Sequence, residues 1–222
     1  MKGIIKNTSR SNVTYLLFLM SAFCFFLSLT RVFFSSTTFY LFLNKNLFLS
    51  FIPWLISSVI LKWKFVRKSF ILKWGSFLVW LVFFPNSLYI FTDLFHLRWQ
   101  SAFPIWFDFI LITSFAWTGF MFGLISLFDI EKFFINFVSQ ANVNIILAVL
   151  LFIGSFGVYI GRFLRWNSWD VVTRPFALFF DLSHKVEHPF VYKGAWAMTI
   201  LLGVMLNMIF WSVRLIKNKT VL

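Results

Sequence analysis

The sequence predicts an all-α fold, a polytopic transmembrane helical bundle of about six spans. Three observations predict it. Of 222 residues 60% are hydrophobic, only 12% are charged, and the apolar residues gather into long runs between short basic segments. A soluble domain carries about a quarter charged residues, so this chain lacks the polar groups to coat a globule in water. Its 35 Phe and 11 Trp are bulk that a lipid-facing surface absorbs and a globular core does not need.

The spans follow in chain order. Lys2, Lys6 and Arg10 precede an apolar stretch over 13–30. That charge order suits a signal peptide. The apolar part, however, is longer than an h-region, and no small-residue cleavage pattern precedes Arg31, Phe33 and Phe34, so it is read as a retained first span. The second span, 46–61, is short and contains Pro53; the third, 71–89, has Pro85 near its end. Membrane helices tolerate such prolines because neighbouring groups resatisfy the freed backbone. The fourth span is 105–127 after Pro104, the fifth 145–163 and the sixth 196–215. Residues 128–144 are mildly amphipathic and are expected on the membrane surface. With no internal repeat and no Gly/Ser linker, 1–222 reads as a single integral membrane domain.

The net charge is +13, which in a soluble protein would point to nucleic acid. Here Lys and Arg sit in the short connections, where the positive-inside rule places them, so no nucleic-acid partner is predicted. Twelve of the twenty fall on the side of the termini, and Lys62, Lys64, Arg67 and Lys68 crowd one very short loop. Both termini are therefore expected in the cytoplasm of a cell-membrane protein, with anionic lipids near those four cations. The opposite side then receives His96, His184 and His188 and five of the seven acidic residues. The single cysteine, Cys24, lies in the first apolar run and rules out an intramolecular disulfide. It reads as a small apolar side chain.

The richest segment is FFPNSLYIFTDLFHLRWQ, 83–100. If helical beyond Pro85, it lines up Asn86, Tyr89, Asp93, His96 and Gln100 on one stripe, with Leu88, Phe91 and Phe95 behind. Asp93 and His96 are spaced for a carboxylate to hold an imidazole, which would also suit a general-base pair. The plainer account is an interfacial helix whose polar stripe faces water.

In YIGRFLRWNSWD, 159–170, Arg162, Arg165, Trp166 and Trp169 are expected on one side of a helix leaving the membrane, and Asn167 to Asp170 in a turn. Guanidinium groups at a lipid boundary need an acidic partner or a bound anion. Asp93, Asp108 and Asp170 are the available carboxylates. Asp108 in PIWFDFI sits about one turn into an apolar span, with Arg162 or Arg165 as its expected partner, or simply as an anion favoured by the helix N-terminus.

His184 to His188 spells HKVEH, an inverted zinc-protease pattern on paper. A catalytic zinc site needs a third protein ligand, and no acidic residue follows Glu187, so no metal and no cofactor are predicted. Gly119, Gly123, Gly154, Gly157 and Gly161 lie inside apolar runs, where small residues let helices approach closely.

NLFLSFIPW, FFPNSLYIFTDLFHL, PIWFDF and GRFLRWNSWD together resemble the bacterial membrane family of domain of unknown function 1361, over most of the chain from the second span to Asp170. The resemblance implies a multi-pass bacterial membrane protein. It implies no activity and carries over no catalytic residue, and the family pattern does not include the His184 and His188 pair.

The leading expectation is a polar pocket at the outer leaflet built by Asn86, Tyr89, Asp93, His96, Asp108, Arg162, Arg165, Asn167 and Asp170. It binds an anionic or amphipathic small molecule such as a lipid headgroup or envelope precursor. One alternative is a proton- or ion-coupled transporter using Asp108, although spans one, two and six offer few polar residues for a path. Another is a non-enzymatic membrane subunit or scaffold. The residues name no reaction.

Overall fold

The computed structural model describes residues 2–97 and 103–219, with the side chains of 10–97 and 103–217. Among these the chain is almost wholly helical and contains no strand. Six helices are long and apolar enough to cross a membrane. The long helices are α1 (Lys2–Ser35), α2 (Phe42–Lys62), α4 (Phe70–Tyr89), α5 (Ile105–Phe134), α6 (Gln140–Phe163) and α9 (Lys193–Lys219). Short elements join them: α3 (Lys64–Lys68), α7 (Asp170–Thr173), α8 (Pro175–Glu187) and 3₁₀ segments at Phe39–Leu41 and Ile90–His96.

Each helix end has a local cause. α1 stops where Ser36 turns left-handed at φ 53°, with its N–H on the Val32 carbonyl at 2.9 Å, the geometry that closes many helices. Ser69 caps α4 by accepting from the Leu72 N–H, and Ser139 caps α6 by accepting from Asn142. The second span is longer than the sequence suggested. It runs 21 residues through Pro53, which at about 1.5 Å per residue is enough to cross a bilayer core of ~30 Å.

The fourth span also differs from expectation. α5 continues without a break to Phe134, so residues 128–134 are bundle core rather than a surface segment. Asp129 and Glu131 are buried there and paired. Asp129 accepts from Arg10 at 2.8 Å and from Lys132 at 3.1 Å, while Glu131 pairs with Arg214.

α2, α4 and α5 form the centre, α1 lies against α5, and α6 and α9 pack as a pair beside α4. Small residues make the close crossings. Gly123 meets Ser87, Gly119 meets Ile90 and Ser50, and on α6 Gly154, Gly157 and Gly161 face Leu88, Pro85 and Tyr89 of α4. Between them Trp80, fully buried, stacks on Phe84 at 4.6 Å and donates its indole N–H to Ser126 at 3.2 Å. Large side chains such as Phe18, Phe26, Phe48 and Leu201 remain outside, as a lipid-facing surface requires.

The start of α1, the end of α9 and α3 lie at one end of the bundle. The segments 36–41, 90–97 and 164–192 lie at the other, here the distal end. Ion pairs fasten both. Arg10–Asp129 and Arg214–Glu131 close the terminal end; Arg31–Asp108 and Arg162–Asp93 close the distal end.

Candidate functional site

The distal site begins with the turn that ends α6. Arg165 takes a left-handed φ of 59°, and the Trp166 N–H reaches back to the Ile160 carbonyl at 3.4 Å. Asp170 then accepts from the Asn167 N–H at 2.8 Å and pairs with Arg174 at 3.0 Å. That backbone donor, reinforced by Arg174, holds the Asp170 carboxyl below its ordinary pKa. The sequence anticipated this turn. The four side chains Arg162, Arg165, Trp166 and Trp169 do not share one helical side, because the helix ends at Phe163 and the chain reverses at Arg165.

Asn86 fixes the turn to α4. Its amide donates to the Phe83 carbonyl at 3.0 Å and to the Ser168 hydroxyl at 2.8 Å, and Ser168 donates on to the Val82 carbonyl at 3.3 Å. α4 continues through Pro85 to Tyr89, beyond which the chain tightens into the 3₁₀ segment Ile90–His96. The predicted stripe therefore survives only in part. In a 3₁₀ turn residues three apart eclipse, which keeps Asp93 and His96 together, but Phe95 is exposed rather than packed behind them. Gln100 and Arg98 lie outside the described residues.

Asp93 is fully buried. Its Oδ2 accepts from Asn46 at 2.8 Å; Oδ1 faces Arg162 at 3.6 Å and His96 at 3.8 Å. Arg162 also donates to the Tyr89 hydroxyl at 3.3 Å and lies 3.3 Å from His96 Nδ1. Among the described residues Asp93 Oδ1 has ion-pair neighbours but no hydrogen bond.

Two cavities adjoin this cluster. The smaller, about 90 Å³, is lined by Lys45, Asn46, Asn86, Tyr89, Asn167 and Ser168, with Trp166 and Trp169 at its walls. The larger, about 280 Å³, is an apolar groove between α4, α6 and α8 that includes Pro85, Ile153, Phe156, Leu178 and Leu182. They share Asn86, Tyr89, Gly161, Trp166, Asn167 and Ser168. Lys45 Nζ lies 5.2 Å from the centre of the Trp169 ring and forms no ion pair among the described residues.

Several expected members lie elsewhere. Asp108 does not pair with Arg162 or Arg165. Its carboxylate is held by Arg31, Nε to Oδ1 at 2.6 Å, and Arg31 also donates to Thr37 at 3.1 Å. The cause is helix order: α1 packs on α5 and brings Arg31 level with the first turn of α5, whereas α6 packs on α4. Arg165 is exposed and lines neither cavity, and Asp170 is consumed in its own turn. His184 and His188 stack edge to face at 4.8 Å, with the Tyr192 hydroxyl 3.3 Å from His184 Nδ1. Among the described residues no three His, Cys, Asp or Glu converge on one point.

A family model described as protein of unknown function (DUF1361) matches residues 45–209. The chain belongs to the DUF1361 family. No curated protein matches it, and no solved structure does. The DUF1361 region opens at Lys45 and contains both cavities and the Asp93 cluster, while Arg10 and Arg31 of α1 precede it. Lys45, Asn46 and Ser168, which line the smaller cavity of this DUF1361 protein, were not among the residues the sequence singled out. NLFLSFIPW was the available signal for Asn46, since an amide at a span boundary needs a partner.

Proposed function

We propose that this protein sits in the cell membrane with both termini in the cytoplasm. At its distal end, in the outer leaflet, it binds an anionic amphiphile, with a lipid headgroup or envelope precursor in the polar cavity and its chain in the adjoining groove. One observation carries the reading: a small cavity lined by amides, hydroxyls and Lys45, a cation without an ion pair among the described residues, opens onto a larger apolar groove through shared walls. A cation without a carboxylate at a low-dielectric boundary favours an anionic ligand. Asn86, Asn167, Ser168 and Tyr89 supply neutral hydrogen bonds around it, while Arg162, held by Asp93 and His96, binds the Tyr89 hydroxyl. At the other end Lys62, Lys64, Arg67 and Lys68, all exposed on or beside α3, meet anionic lipids of the inner leaflet. Asp108, occupied by Arg31, takes no part.

The test is organic extraction of the purified full-length protein with mass-spectrometric profiling, for the native chain and Lys45→Glu. Lys45 is exposed, so the substitution leaves the core untouched. The native chain is expected to carry an acidic amphiphile that Lys45→Glu lacks. Identical lipid profiles would refute the reading.

A further inference from the structure

Between the ends of α6 and α9 the chain does not cross the bundle. It forms α8, whose two faces differ. Leu178, Asp181, Leu182 and Lys185 recur at helical spacing on the inner face. Leu178 and Leu182 wall the groove, Asp181 accepts from the Trp166 indole at 2.8 Å and pairs with Lys185, and the Trp196 indole donates to the Lys185 carbonyl at 3.3 Å. On the opposite side Phe176, Phe179 and Phe180 are 88%, 73% and 72% exposed. Val172 before the helix and Phe190 and Val191 after it are also largely exposed. Among the described residues nothing covers these side chains.

The tethers decide what covers them. Six residues separate α6 from α7, and five separate α8 from α9. Both neighbours are membrane spans, so α8 is held at the level where they leave the hydrocarbon. Those spans expose large apolar side chains of their own, among them Phe163, Ile200 and Leu201. Arg174 at its start and His184, His188 and Lys193 around its end are exposed polar or cationic groups suited to headgroups. An amphipathic helix of this kind lies in the plane of the interface with its apolar face roughly 5–10 Å into the acyl boundary.

We infer that α8 is a membrane-interface helix that inserts Phe176, Phe179 and Phe180 into the bilayer beside the bundle, the occupant of that face being lipid. This holds whether or not the adjoining cavity binds a ligand.

Spin labels test it in the full chain carrying Cys24→Ser, reconstituted in phosphatidylethanolamine/phosphatidylglycerol vesicles. Single cysteines replace Phe176, Phe179 or Lys193, all of them exposed, so that no core contact is lost. Collision with oxygen relative to a water-soluble nickel chelate is expected to be several-fold higher at 176 and 179 than at 193. Equal nickel access at all three sites would show the face in water and overturn the inference. Dipolar broadening at 176 or 179 that vanishes on dilution with unlabelled protein would overturn it too, by assigning the face to a second copy.

Discussion

Arg31 and Asp108 form a buried, two-point ion pair, Nε to Oδ1 at 2.6 Å and Nη2 to Oδ2 at 3.3 Å, that joins the last turns of α1 to the first turn of α5. Their charges lie 77 residues apart in sequence and are among the most deeply buried in the protein. Removing one partner leaves the other charge desolvated, which costs about 3–5 kcal/mol in buried pairs.

Thermal unfolding in detergent therefore separates the true partner from the one the sequence suggested. Arg31→Ala and Asp108→Ala should each lower the midpoint strongly. The exchange Arg31→Asp with Asp108→Arg should recover part of the loss, while Arg162→Asp should give Asp108→Arg no rescue. Rescue by Arg162→Asp would place Arg162 beside Asp108 and contradict the pairing with Arg31.

The α4–α6 crossing makes a second prediction. A Cβ on Gly157 would press into the Pro85 ring, which cannot rotate away, whereas Gly75 on the same bundle has open space around it. Gly157→Ala should destabilise by about 1–3 kcal/mol, the usual cost of overpacking. Gly75→Ala should be neutral or slightly stabilising, since Ala favours helix over Gly. Unfolding curves of the two variants check this directly.

Orientation is testable by thiol access in intact cells on a Cys24→Ser background. Glu187→Cys should react with an impermeant maleimide from outside, and Lys64→Cys only after permeabilisation. The reverse pattern would invert the bundle.

The pairing that docks α8 is pH-dependent. Lys185, and after it Trp166, hold the Asp181 carboxyl below its ordinary value. A depressed folded pKa contributes stability above the unfolded value, about 3.9 for Asp, and that contribution is lost as pH falls through the folded one. A spin label at the exposed position Ala177 should keep its mobility from neutral pH to about 4 and loosen only below that. Asp181→Asn should be mobile throughout.

Much of this architecture is legible in the residues and some of it is not, for physical reasons. Long apolar runs identify spans because a bilayer demands them, and Asn167 to Asp170 announce their turn through side chains that bond their own backbone. Tyr89 and Arg162, expected in one pocket, do touch, guanidinium to hydroxyl at 3.3 Å. Lys45, by contrast, looked like one more loop cation, and Arg31 like the end of the first span. Their roles come from which helix packs on which, and no local periodicity encodes that. Residues 128–134, expected on the membrane surface, instead continue α5, and Arg10 and Arg214 neutralise Asp129 and Glu131 inside the bundle.

The account rests on an anionic amphiphile in the cavity beside Lys45, and photocrosslinking measures that most directly. A photoreactive amino acid at Asn167, an exposed residue lining both cavities, should capture an acid-headed amphiphile in living cells, and Lys45→Glu should abolish the adduct. Capture of bulk neutral phospholipid alone, at a yield indifferent to Lys45→Glu, would contradict it.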